Sequence, residues 1–149
     1  MASKKHVVPL ASSARLWRLV GLIVGDACVF LIFAAVGRSS HHEASGLDAF
    51  WLVVQTAAPF ALGWFLVAPF LGVYRESVII RLRPMLGRTA LGWLCAWPVA
   101  MLLRWLFTLN DAPLSLGSWV SFSAVVLVTN MLFLSIWRGL FALVAHRGH

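Results

Sequence analysis

Apolar and polar positions alternate along this chain on a scale of about twenty residues. Four long apolar runs, near residues 17–36, 50–71, 86–109 and 117–144, are separated by short polar links. At about 1.5 Å of rise per residue, each run is long enough as a helix to cross the ~30 Å hydrocarbon core of a bilayer. The pattern predicts an all-α fold: a polytopic integral membrane protein with four transmembrane helices in one bundle. A basic tail at 1–16 and a short C-terminal piece at 146–149 flank the transmembrane domain, 17–145. The first run has the basic flank of a secretory leader. It is too long for one and holds an acid, so a retained anchor is expected.

Composition removes the soluble alternative. The chain has 149 residues, 61% hydrophobic and 11% charged, with mean hydropathy +0.89, where soluble domains average about 25% charged. The net charge of +7 would suggest nucleic acid in a soluble protein, but its placement has another reason. Lys4, Lys5, Arg15, Arg18, Arg75, Arg81, Arg83, Arg88, Arg138 and Arg147 fall on one side of the four runs. Only Arg38 and Arg104 fall on the other, near Glu43, Asp48 and Asp111. By the positive-inside rule both termini are cytoplasmic, and no nucleic-acid partner is expected. The link holding Arg75 to Arg88 mixes arginines with apolar residues as an interfacial segment does.

Gly21 and Gly25 form a G-x-x-x-G in the first run and share a stripe with Cys28 and Ile32. Such a stripe lets another backbone approach closely, from the same chain, a second copy or a larger membrane complex. Pro59 and Pro69 in the second run and Pro98 in the third invite kinks. Trp93 and Trp97 stand one turn apart and share a face, which either packs in the core or holds a flat apolar ligand. Cys28 and Cys95 lie inside apolar runs and read as small packing residues. No hydrolase, nucleotide-binding or metal motif occurs. His41, His42 and Glu43 read as loop polarity, so no enzyme, metal or cofactor is expected.

Asp26 is the exception within the first run. It lies eight residues past Arg18, about 12 Å into the membrane. Left ionised and unpaired, it would cost a few kcal/mol on insertion scales. Neutralising an ordinary carboxyl at pH 7 costs about 4 kcal/mol. A partner is cheaper than either. Ranked by depth, Arg138 reaching inward with help from Asn130 is the preferred pair, and Arg104 is a poorer match.

The chain resembles a family of short bacterial membrane proteins, domain of unknown function 3054. The resemblance rests on "GD" at 25–26, "GRSSH" at 37–41, "APFALGW" at 58–64, "GVY" at 72–74, Arg104 and "WRG" from Trp137. It implies a four-span protein of the bacterial plasma membrane and brings no established activity. It also marks Asp26, Arg38, His41, Arg104 and Arg138 as polar positions within the motifs. Two functions fit. In a transporter, Asp26 is an intramembrane proton or cation site. In an accessory or structural subunit of a larger complex, Asp26 is a buried polar lock and the glycine stripe docks the partner.

Overall fold

The computed structural model describes residues 10–38, 46–108 and 115–147. His41, Glu43 and Asp111 lie outside the described residues, as do Lys4 and Lys5. Four long helices carry the fold: α1 (Leu10–Arg38), α2 (Gly46–Val67), α4 (Leu82–Phe107) and α5 (Leu116–Arg147), with a single turn, α3 (Glu76–Ile79), between α2 and α4. No strand occurs among the described residues. Each long helix has the length and hydropathy of a membrane span, and each keeps large apolar side chains exposed, such as Val24, Leu62, Leu94 and Val128. In water that surface would aggregate; in a bilayer it is the lipid face. The protein is a polytopic four-helix membrane bundle.

The helices pack in chain order around a square. α2 lies against α1 and α4, and α5 lies against α4 and α1, so α1 and α4 are diagonal. The centre is aromatic: Phe30, Phe60, Trp64 and Trp93 are fully buried, with Phe33 edge-on to Phe60. Small residues set the spacing, as expected where lipid supplies no hydrophobic drive between helices. A Cβ placed on Gly63 would sit 2.8 Å from the Cα of Ala100, so α2 and α4 cross almost backbone to backbone. Gly63→Ala is therefore expected to cost about 1–3 kcal/mol by overpacking, read as a lower midpoint in detergent-induced unfolding.

Trp93 and Trp97 face α5. Their indole N–H groups donate to the carbonyl oxygens of Leu127 (2.9 Å) and Ser123 (3.2 Å). Both acceptors are one turn apart on α5, as the donors are on α4. The shared tryptophan face thus packs against α5, the core-packing alternative of the two readings.

The helix limits differ from the apolar runs at both ends. α1 begins inside the basic tail, and its Arg18 meets Glu76 at 3.0 Å. α2 stops at Val67 and leaves Pro69 in a turn instead of in a kinked helix. Proline cannot donate to the ladder and disfavours helical geometry in the residue before it. The link rich in arginine is also no loose interfacial strip. Its Val78 and Ile79 are buried against Leu22, Met85 and Ala142.

Candidate functional site, a buried ion pair joining the four helices

Asp26 and Arg138 meet inside the bundle, and both are fully buried. Arg138 Nε donates to Asp26 Oδ1 at 2.9 Å and Nη2 to Oδ2 at 2.6 Å. This two-pronged geometry is the strongest that arginine and a carboxylate can form. Oδ2 also accepts the hydroxyl of Tyr74 at 2.7 Å and the indole N–H of Trp64 at 3.1 Å. The same indole N–H lies 2.9 Å from the Tyr74 oxygen, so one proton is shared between two acceptors.

The cation is enclosed as thoroughly as the anion. The guanidinium carbon is 4.9 Å from the centre of the Trp64 ring and 4.8 Å from that of Tyr74. Both distances suit a cation–π contact. Nη1 reaches the Met85 sulfur at 4.0 Å. Asp26 comes from α1, Trp64 from α2, Tyr74 from the turn after it, Met85 from α4 and Arg138 from α5. All four long helices are therefore tied at one point.

Local sequence explains how each group arrives. Gly25 precedes Asp26 and faces the Trp137 indole, where any Cβ would collide with the ring, so α1 and α5 approach closely just where their charges meet. After α2, the turn "APFLGVY" reverses the chain. Gly72, at φ +67°, adopts a conformation that L side chains rarely take, and Val73 N–H bonds back to the Ala68 carbonyl. Arg88 caps the Leu71 carbonyl at 2.8 Å. The turn thus brings Tyr74 back into the bundle. Burial pushes its hydroxyl well above the usual tyrosine range, and the Asp26 carboxylate pushes the same way against a smaller effect of Arg138. It therefore stays a donor at any working pH.

The remaining predicted positions fall elsewhere. Asn130 is buried but donates to the Val126 carbonyl of its own helix at 3.0 Å, and its Oδ1 has no partner among the described residues. It does not assist the pair; Tyr74 and Trp64 do. Arg38 and Arg104 line a separate cavity at the opposite end of the bundle. Gly25 packs tightly under the Trp137 ring, whereas Gly21 stays exposed and only touches Phe141, so the stripe is used within the chain at Gly25. Its continuation, Cys28 and Ile32, lines an open apolar groove of about 600 Å³ between α1 and α5. No group of three or more His, Cys, Asp or Glu among the described residues could hold a metal ion.

Three of the sequence motifs named above supply Asp26, Trp64 and Tyr74, and "WRG" supplies Arg138. No curated protein and no solved structure matches the chain. The family described as "Protein of unknown function (DUF3054)" matches residues 23–141, which include every member of the buried cluster. The chain belongs to the DUF3054 family.

Proposed function

We propose that the protein is a non-catalytic structural or accessory component of a bacterial plasma membrane assembly, with both termini cytoplasmic and Asp26 as a polar lock. The saturation of Asp26 carries this reading. Its two oxygens receive four hydrogen-bond contacts from three side chains, three at Oδ2 and one at Oδ1, and the residue is fully buried. A carboxylate that exchanges protons or binds a cationic substrate needs an open position and a route to water. A buried pair with every partner in place instead fixes which helices meet.

The orientation is supported by the clustering of Arg15, Arg18, Arg75, Arg81, Arg83 and Arg88 around the end where α1 and α4 start and α2 stops. A partner helix would reach α1 chiefly at Cys28 and Ile32, exposed in the α1–α5 groove, because the Trp137 ring stands against the neighbouring Gly25.

Infrared spectroscopy of the reconstituted protein tests the lock, with Asp26→Asn subtracted to assign the band. The expected result is a carboxylate band that moves in Arg138→Gln, as loss of the two-pronged partner requires. A band unchanged in Arg138→Gln, or proton flux into liposomes that Asp26→Asn abolishes, would overturn the reading, the flux in favour of a transporter. The accessory role itself requires a partner retained at fixed stoichiometry, and a protein purified from native membranes as a lone monomer would count against it.

A further inference from the structure

Arg75, Arg81, Arg83 and Arg88 stand in the link after α2 and the first turns of α4. Arg88 holds the Leu71 carbonyl. Arg81 and Arg83 are exposed and line one groove of about 450 Å³ between the start of α4 and the last turns of α5. Its walls are otherwise apolar, with Ile80, Leu82 and Pro84 on one side and Ala142 and Leu143 on the other. Leu82 and Leu143 are exposed, so the groove opens toward lipid. The α4 span begins at Leu82, which puts both arginines at the boundary between hydrocarbon and headgroups.

Two cations are unfavourable in this position. They repel each other, and they stand at the positive end of α4, whose first turn holds no acid. Among the described residues neither forms an ion pair. Asp26 is held by Arg138 and Glu76 by Arg18 at 3.0 Å, while Asp48 begins α2 at the other end. The positive-inside rule asks for cations on this side of the membrane, but not for two in one groove. A phosphate supplies the missing anion, and the planar fork of arginine matches its oxygens in pairs. The walls decide what carries that phosphate. A free anion gains nothing from leucine, isoleucine and proline, whereas an acyl chain packs along them.

We propose that the Arg81–Arg83 groove binds one anionic phospholipid, with its phosphate on the two guanidinium groups and an acyl chain along Leu82 and Leu143. The full-length protein, purified in detergent, is incubated with phosphatidylglycerol and read by native mass spectrometry. Phosphatidylethanolamine with the same acyl chains is the zwitterionic comparison. One phosphatidylglycerol per chain is expected, retained in preference to the zwitterionic lipid and not displaced by excess inorganic phosphate. The Arg81→Gln/Arg83→Gln double variant should weaken retention about tenfold or more, the scale of losing charge-assisted hydrogen bonds.

Leu143→Trp should also weaken retention, by filling the groove while both charges stay. Arg75→Gln removes an exposed cation from the same end but outside the groove, and should leave retention unchanged. The thermal transition of each variant separates a folding defect from lost binding. Wild-type retention in a folded double variant or in Leu143→Trp would overturn the proposal. So would equal retention of both lipids, or displacement by inorganic phosphate. A loss in Arg75→Gln as large as in the double variant would overturn it too, since the charge would then act as a diffuse surface.

Discussion

Replacing Arg138 with leucine is expected to lower the stability of the bundle by about 3–5 kcal/mol, the cost of leaving a buried carboxylate without its cation. The variant strips Asp26 of two of its four hydrogen-bond contacts. It also leaves the Trp64 and Tyr74 rings without the guanidinium they enclose. In the intact bundle Asp26 is fully buried, so its carboxylate has no water in place of the lost cation. Asp26 must then either remain charged or take up a proton, and both are costly in lipid.

The double variant Asp26→Leu/Arg138→Leu should recover a large part of the loss, since replacing both partners by apolar groups removes the desolvated charge. Detergent-induced unfolding of the wild type, both single variants and the double variant closes the cycle. A double variant as unstable as the sum of the singles would show that the two residues act independently, and the lock would fail as a description.

The pairing of Asp26 with Arg138 was legible in the sequence because the physics leaves few options. A short acidic side chain in mid-membrane requires a cation, and Arg138 is the arginine whose side chain can reach that depth. The four spans were legible for a similar reason, since each run satisfies the bilayer by length and hydropathy alone. Other parts of the site depend on information that linear depth does not hold. Asn130 is eight residues before Arg138 on α5, which is about 12 Å along the helix, so the two cannot flank the same carboxylate.

Tyr74 lies in the link between spans, and depth counted along the chain puts it outside the membrane. Only the reversal through Pro69 and Gly72 returns it to the bundle. A usable signal was present: it is the sole tyrosine of the chain, placed directly after a proline- and glycine-containing turn. Trp64 was recognisable as deep, but not as a donor, because its azimuth depends on how closely Gly63 lets α2 approach α4.

The close approach at Gly25 leads to the second large effect. Gly25→Ala is expected to destabilise the protein by about 1–3 kcal/mol through overpacking, and Gly25→Leu by more. The first added carbon would overlap the Trp137 ring, so either the indole must swing into the α1–α5 groove or α1 must move away from α5. Gly25 and Asp26 are adjacent on α1, as Trp137 and Arg138 are on α5. Any separation forced at the first pair therefore lengthens the bonds of the second. The ion pair depends on the glycine even though the glycine carries no charge. Trp137→Ala should restore much of the stability lost by Gly25→Ala, because it removes the atoms that collide. If the penalty of Gly25→Ala persists undiminished in the Trp137→Ala background, the glycine acts against a partner outside this chain. The docking surface on α1 would then have to be moved from Cys28 and Ile32 to the stripe itself.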